Sequence, residues 1–152
     1  MMLKDKIQAI RQENKLTQDE LAEKLFVTRQ AVSRWENGKT TPTLETLKQI
    51  SDLFAIDAND LIGTDRCNSC SWHYEHVDNL GTNADGGISE YYCSYCYQEG
   101  KFTEIISIDE MTEFNLGYLE DFNKANGTNY SPEEARTVLK GLLSTLKRWK
   151  ND

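Results

Sequence analysis

The four cysteines of the chain fall into two pairs, Cys67-Asn68-Ser69-Cys70 and Cys93-Ser94-Tyr95-Cys96, separated by 22 residues. In a Cys-x-x-Cys pair, one tight turn directs two sulfurs to the same point, and two pairs can complete a tetrahedron of thiolates around zinc. The separation is slightly longer than the roughly 15–20 residues typical of such sites. A site closed by four thiolates contributes folding energy and leaves no open position for chemistry. The spacing therefore predicts one structural zinc ion, held by Cys67, Cys70, Cys93 and Cys96.

Two other uses of the cysteines fit the sequence less well. A redox-active pair would require a βαβ setting, which the sequence does not indicate, and four unmetallated thiols at this spacing would be a coincidence. His73 and His76 lie close enough to compete as ligands, but with four well-spaced thiols we expect both on the surface. No run approaches the roughly 20 apolar residues of a membrane span and no signal segment opens the chain, so we expect a cytoplasmic protein with reduced thiols.

A second kind of chemistry is suggested by charge. The 152 residues carry a net charge of -8. Residues 1–62 hold 9 Lys/Arg against 10 Asp/Glu (-1), and residues 63–152 hold 8 against 15 (-7). Within the first part, Arg29, Arg34 and Lys39 stand against Glu36 between positions 28 and 40. Binding to phosphate depends on such a local basic surface and not on the overall sign of the charge.

The elements that carry this basic segment read as five short helices, and their first residues are marked by capping residues. Thr17 with Glu20 predicts a capping box, and Thr28, Thr43 and Asp57 stand where N-caps belong. The helix after Thr28 should stop at Asn37-Gly38, because glycine readily adopts the left-handed conformation that follows a helix.

Only three or four residues separate the second and third helices, which forces a tight angle between them, as in helix pairs that present one helix to the major groove. Ala31, Val32 and Trp35 can pack inward. Arginine suits guanine edges and glutamine suits adenine edges, and such side chains project outward from the third helix. A small helical bundle with a polar third helix would share this pattern, and composition alone does not separate the two. The outward side chains are Arg29, Gln30, Ser33 and Arg34.

Two blocks, residues 16–22 (Leu-Thr-Gln-Asp-Glu-Leu-Ala) and residues 32–38 (Val-Ser-Arg-Trp-Glu-Asn-Gly), closely resemble the phage-repressor/Cro (XRE-like) family of helix-turn-helix regulators over about residues 3–62. The resemblance implies that Gln18 clamps a phosphate and that Arg11 and Glu36 form a structural ion pair. It implies base reading by Arg29, Gln30 and Arg34, with Ser33 between them. Thr28 belongs to the same DNA-binding segment, and contacts to the sugar-phosphate backbone are implied for Asn37, Lys39 and Thr40.

The rest of the chain reads as a short polar joint followed by a small α+β unit. The turn formers of residues 80–87 predict a loop, and residues 88–92 and 101–106 predict short strands. Tyr91, Tyr92, Tyr95 and Tyr97 could stack on bases, but in so acidic a unit we expect them to cover the metal core. Ser107-x-x-Glu110 and Ser131-x-x-Glu134 predict two final helices, the second with an apolar stripe running to Leu146 and Trp149.

Several separated blocks of residues 67–150, including both cysteine pairs, Gly81-Thr82-Asn83-Ala84-Asp85-Gly86, Gly100-Lys101-Phe102-Thr103 and the ending Leu146-Lys147-Arg148-Trp149-Lys150, resemble the zinc-ribbon domain of bacterial proteins. The family usually has Gly-Met-Pro after the first pair, where this chain has Ser71-Trp72-His73. The resemblance implies zinc and says little about purpose.

The sequence thus predicts a mainly α protein. Residues 1–63 form a five-helix, lambda-repressor-like DNA-binding domain, and residues 64–152 form a zinc-ribbon domain that ends in two helices. We expect a transcription regulator, a repressor, that binds double-stranded DNA as a homodimer, with the zinc unit serving dimerisation or partner binding. The alternative is a regulator whose cysteine site senses zinc or oxidation. Catalysis is not expected, since we find no nucleophile–base pair, no phosphate-binding glycine loop and no open metal site.

Overall fold

A computed structural model describes residues 2–62, here the first half, and residues 66–150, the second half. The polar joint predicted at residues 63–66 lies outside the described residues except for Arg66. All five helices predicted in the first half are present, the last as a 3-10 helix. They are α1 (Leu3–Glu13), α2 (Gln18–Leu25), α3 (Arg29–Glu36), α4 (Leu44–Phe54) and the 3-10 helix Ala58–Leu61.

Threonine side chains fix where three of these helices begin. Thr17 Oγ1 accepts a hydrogen bond from the Glu20 N–H at 3.1 Å, which satisfies one of the free donors of the first turn. Thr28 and Thr43 cap α3 and α4 in the same way. The predicted starts of these three helices are therefore confirmed. At Thr17 only the threonine half of the predicted capping box is present, because no hydrogen bond from the Thr17 N–H to the Glu20 side chain is found within residues 2–62.

The second half contains two small antiparallel sheets. β1 (Leu80–Thr82) pairs with β2 (Ile88–Cys93), and β3 (Tyr97–Gln98) pairs with β4 (Lys101–Phe102). The strand at 88–92 is confirmed, whereas the loop predicted from residue 80 was wrong for residues 80–82. The strand predicted over 101–106 is shorter, because it pairs with only two residues of β3. A 3-10 helix, Val77–Asn79, precedes β1.

Three helices follow in the described residues, where two were predicted: α5 (Ile108–Leu116), α6 (Leu119–Asn126) and α7 (Pro132–Leu143). The first of the two predicted helices, which we expected to carry one apolar stripe from Met111 through Leu119 and Phe122, is interrupted at Gly117-Tyr118. The reciprocal capping boxes at Ser107 and Ser131 are confirmed. α7 ends at Leu143, so Leu146 and Trp149 reach the core from turns instead of from a helical stripe.

Buried apolar side chains form two clusters. The first contains the core of α1–α4, with Val32 and Leu47 fully buried, and it also takes in Val77, Leu80 and Ile88 from the second half. The second surrounds the cysteines and includes Met111, Leu143 and Trp149, among others. Strand β2 connects the two, because Ile88 belongs to the first cluster and Cys93 to the second.

Polar contacts reinforce the junction between the halves. The Leu3 N–H donates to Glu90 Oε1 at 2.9 Å, and the Ile88 N–H donates to the Pro42 carbonyl at 2.9 Å. Gly87 lies so close to Thr41 that a Cβ atom there would stand 2.4 Å from the Thr41 carbonyl oxygen. The halves are thus packed against each other with the closeness of a protein core.

Among the described residues, none of the helices combines the length and the apolar character that a membrane crossing would need.

Candidate metal centre and DNA-reading surface

The four cysteines converge into one group, here called the cysteine cluster (Cys67, Cys70, Cys93 and Cys96). All four are buried, and their sulfurs lie within 4.8 Å of one another. The Cys70 and Cys93 sulfurs are 3.9 Å apart. In a tetrahedral zinc site with Zn–S bonds of about 2.3 Å the sulfurs stand about 3.8 Å apart. The cluster therefore has the size and the donor set that zinc requires.

Backbone amides of both turns support this arrangement. The N–H groups of Ser69 and Cys93 donate to Cys67 Sγ at 3.4 and 3.3 Å. Hydrogen bonding with the Cys70 thiol lowers the pKa of Cys67, and the same interaction raises the pKa of Cys70. The Cys67 thiolate is stabilised by hydrogen bonds from the neighbouring thiols. Each further deprotonation in the cluster adds a second negative charge close to the first. A divalent cation removes that repulsion.

The turn of the first pair is held by long-range contacts. The Trp149 indole N–H donates to the Ser69 carbonyl at 2.7 Å, and Asn115 Nδ2 donates to the Cys70 carbonyl at 3.1 Å. Ser71, which stands where the zinc-ribbon family has glycine, has φ = +70°. This left-handed conformation favours glycine, which explains the family's preference there.

The tyrosines that surround the second pair divide into two groups. Tyr92 is buried and its ring packs against Tyr97 and Phe102 at centroid distances of 5.0 and 4.9 Å. Tyr95 is 81% exposed. The predicted aromatic cover is therefore formed by Tyr92, Tyr97 and Phe102, with Tyr91 partly buried beside it. His73 and His76 are both exposed, as predicted for side chains outside the metal site.

The second candidate surface is the outer side of α3. Val32 and Trp35 are buried on its inner side, and Ala31 packs partly against the same core. Thr28, Arg29, Gln30 and Arg34 are exposed, and Ser33 is half-buried among them. α3 thus has the divided surface that the sequence predicted. We call the residues Thr28, Arg29, Gln30, Ser33, Arg34, Asn37, Lys39 and Thr40 the reading face.

Gln18 is positioned by the predicted ion pair. Arg11 Nε donates to Glu36 Oε1 at 2.7 Å, and the two side chains are 13% and 4% exposed. Glu36 Oε2 accepts from Gln18 Nε2 at 2.5 Å. The amide group of Gln18 has a second hydrogen, so it can donate to a phosphate while Glu36 holds its orientation.

The loop after α3 is supported from the second half. The Lys39 N–H donates to the Arg34 carbonyl at 2.9 Å, which closes the turn. Next to it, Thr41 Oγ1 donates to the Ile88 carbonyl at 2.5 Å and accepts from Asn83 Nδ2 at 3.2 Å. Sequence reasoning missed this support because no local pattern announces a contact across 42–47 residues. The turn formers of residues 83–87 were the one available signal.

A helix-turn-helix unit joined to a four-cysteine ribbon defines the class of protein. Residues 66–150 match the family described as "Putative zinc ribbon domain", and residues 7–61 match the family described as "Helix-turn-helix". The chain belongs to this zinc ribbon family and carries an XRE-like helix-turn-helix domain.

Two curated relatives are similar to the first half. The HTH-type transcriptional activator BcrR of Enterococcus faecalis is 44% identical over 62 residues, which are 41% of this chain but only 30% of that protein. An uncharacterized HTH-type transcriptional regulator of Methanocaldococcus jannaschii is 36% identical over 59 residues, 39% of this chain and 89% of that protein. The first half of this protein is therefore similar to the helix-turn-helix domains of proteins named as transcriptional regulators, and the chain spans less than a third of the first of these relatives.

One solved structure, the DNA-binding domain of the P22 C2 repressor, is 28% identical with a TM-score of 0.38. The similarity covers 40% of this chain and 80% of that one.

Proposed function

We propose that this regulator recognises specific DNA sequences through the reading face, as a homodimer on paired half-sites. The observation that carries the proposal is the divided surface of α3, buried through Val32 and Trp35 and exposed through Arg29, Gln30 and Arg34. Within residues 66–150, the hydrogen bonds and ion pairs to the first half reach Leu3, Thr41, Pro42, Lys48 and Asn59, none of which belongs to the reading face.

Roles within this surface follow the chemistry of the side chains. Arg29, Gln30 and Arg34 would read base edges, because arginine and glutamine make bidentate hydrogen bonds to guanine and adenine. Gln18, at the start of α2, would donate to a phosphate. The remaining residues of the reading face would fix the register on the backbone. They are Thr28, Ser33, Asn37, Lys39 and Thr40.

A dimer is proposed because the first half is almost neutral, so one copy offers few phosphate contacts. Paired half-sites about one helical turn apart would compensate. The zinc ribbon would bind one structural ion and serve dimerisation or partner binding. Repression remains our prediction for the direction of regulation, and a cytoplasmic location remains our prediction for where it acts.

The most direct test selects bound DNA from a random pool and measures zinc on the same protein sample. Palindromic half-sites with about one zinc per chain are expected. Arg34→Ala should then cost about 1–3 kcal/mol and relax preference at one base, whereas Gln18→Ala should weaken all sites alike. Lys101→Ala, which removes an exposed lysine of the second half, is the matched control. It should change neither the DNA affinity nor the base preference. Equal, sequence-independent losses for Arg34→Ala would contradict the base-reading role.

A second candidate function is sensing of zinc or oxidation by the cysteine cluster. Strand β2 favours it, because one end supplies Cys93 to the cluster and the other end places Ile88 in the core that supports α3. Loss of the metal would release the Cys93 end of this strand.

The two functions are separated by measuring DNA affinity before and after treatment with a chelator or peroxide. A sensor should lose affinity in parallel with zinc and regain it when zinc is restored. If zinc leaves and the second half unfolds while DNA affinity stays constant, the metal has only a structural role.

A further inference from the structure

A cavity of about 740 Å³ lies beside the cysteine cluster, between the turns of both cysteine pairs and α5. Its volume falls within the roughly 300–1,000 Å³ of small-molecule sites in proteins. Cys70, Cys93 and Cys96 line one side of it. A single ion held between the four sulfurs would fill only a small part of this volume, and the helix-turn-helix surface uses none of it.

Several aromatic rings in the wall of the cavity remain accessible. Trp72 and Phe114 are 48% and 56% exposed, and each packs against Tyr118, at centroid distances of 5.4 and 5.5 Å. Tyr95 contributes a further exposed ring from the second cysteine turn. Aromatic faces carry negative electrostatic potential and attract cations placed over them.

The charged residues around the cavity, like the aromatic rings, favour a cation. Glu75, Glu104 and Glu110 line it, against Arg148 and the ionisable His73. The Arg148 guanidinium already donates to Ser69 Oγ and to the Glu104 carbonyl. Four thiolates around a divalent cation add a formal charge of about -2 next to the wall. The lining therefore favours a positively charged occupant.

Tyr74 also lines the cavity, and its ring packs against both hydrophobic clusters. Its hydroxyl oxygen is shielded from solvent and has no hydrogen-bond partner within residues 2–62 and 66–150. An occupant would therefore contact the Tyr74 ring at the junction of the halves and would not reach this oxygen without movement of its neighbours.

We propose that this cavity binds a small organic cation with an apolar body, held by the aromatic rings of Trp72, Phe114 and Tyr118 and by the surrounding acidic residues. The proposal is independent of the DNA-binding function. It predicts selectivity by charge among ligands of equal shape, which nonspecific adsorption to an apolar surface would not give.

Isothermal titration of the full-length, zinc-loaded chain with tetraphenylphosphonium and with tetraphenylborate tests this, because the two ions share one shape and differ in sign. We expect saturable binding of one phosphonium ion, with the borate about tenfold weaker or more. Trp72→Ala and Phe114→Ala should each weaken phosphonium binding about fivefold or more. Phe26→Ala, which removes a 92% exposed ring from the first half, is the matched control and should have no effect.

Glu75→Gln leaves the packing intact and tests the charge alone, with Glu120→Gln as its control. We expect weaker phosphonium binding only for Glu75→Gln. Circular dichroism and zinc content verify that each variant is folded. Equal binding of both ions, absence of saturable phosphonium binding, or an equal loss in Phe26→Ala would overturn the proposal.

Discussion

The reading face and the cysteine cluster are held in place by different means. α3 is a regular helix that depends on apolar burial of one side, and the side chains proposed to contact DNA are on its exposed side. Cys67 and Cys70 lie in a turn closed by the bridge between Arg66 and His73. Cys93 ends the six-residue strand β2, and Cys96 precedes the two-residue strand β3. All four cysteines are buried inside the second cluster. A DNA-binding surface requires only that the helix beneath it is stably packed. A metal centre requires that the interior of the second half brings four cysteines together. The two regions should therefore respond differently to damage.

The largest effect is expected for Cys93→Ser or for removal of zinc. A structural zinc site supplies free energy comparable to the ~5–15 kcal/mol total stability of a domain, so the second half should unfold. Zinc content and the NMR spectrum of residues 66–150 report this. Ser94→Ala, in the middle of the same turn, should keep both the zinc and the fold. A zinc-free chain with an unchanged spectrum would contradict the proposed role.

Ile88→Ala should be next, because Ile88 is 1% exposed and packs into the core of the first half. Loss of a buried isoleucine costs about 2–5 kcal/mol. Chemical denaturation should show that this change in the second half lowers the stability of α1–α4. Ile105→Ala, at a fully exposed isoleucine, should leave the denaturation midpoint unchanged. Separate unfolding of the two halves, with the first unaffected, would show that the junction is not energetically coupled.

Glu36→Ala tests the polar support of the first half. It leaves the nearly buried Arg11 guanidinium and the Gln18 amide without their acceptor, at a cost of about 3 kcal/mol. DNA affinity should fall at all sites alike, because Gln18 loses its orientation. Glu13→Gln, an exposed glutamate of α1, serves as the control for thermal unfolding and DNA binding. A stable Glu36→Ala protein with full DNA affinity would show that Glu36 does not position Gln18.

Ser71→Gly should stabilise the second half slightly. The left-handed conformation costs a residue with a Cβ about 1–2 kcal/mol, part of which is offset by the greater freedom of glycine in the unfolded chain. A net gain of about 0.5–1 kcal/mol in denaturant is expected. Ser144→Gly, at a residue with φ = -61°, should destabilise instead. Destabilisation by both changes would mean that the Ser71 side chain has a role beyond its conformation.

The smallest effect concerns the exposed pair of Arg136 and Glu113, with Nε and Oε1 2.6 Å apart. Hydrogen bonding to Arg136 holds the pKa of Glu113 below its usual value. A depressed carboxyl pKa contributes stability above the unfolded-state pKa, and this contribution is lost as the pH falls through the folded-state value. Arg136→Met should therefore be slightly less stable than the parent at neutral pH, and the difference should vanish in acid. Lys150→Met, which removes another exposed cation, is the control variant for this measurement of stability. A difference that persists in acid would exclude the ion pair as its source.

Most of the helical elements could be predicted because their signals are local. A threonine or serine cap acts within three residues, and the alternation of buried and exposed positions along α3 is set by its own sequence. The two-residue spacing within each cysteine pair likewise places two sulfurs in one turn. The end of α7 before Leu146 was missed because Leu146 and Trp149 pack into the second cluster from turns, which overrides the continuous apolar pattern. The break at Gly117-Tyr118 was also missed, although glycine is a poor helix former.

The sequence by itself determined the divided surface of α3 and the two cysteine turns, because both depend on chemistry between near neighbours. Only the tertiary structure decided that Leu80–Thr82 is a strand, that Gly87 meets Thr41, and that Ile88 enters the core of the other half. The pairing of Leu80–Thr82 with β2 and the packing of Gly87 and Ile88 against residues more than 40 positions away leave no periodic trace in the sequence. They depend instead on which apolar surfaces remain to be buried once the local elements have formed.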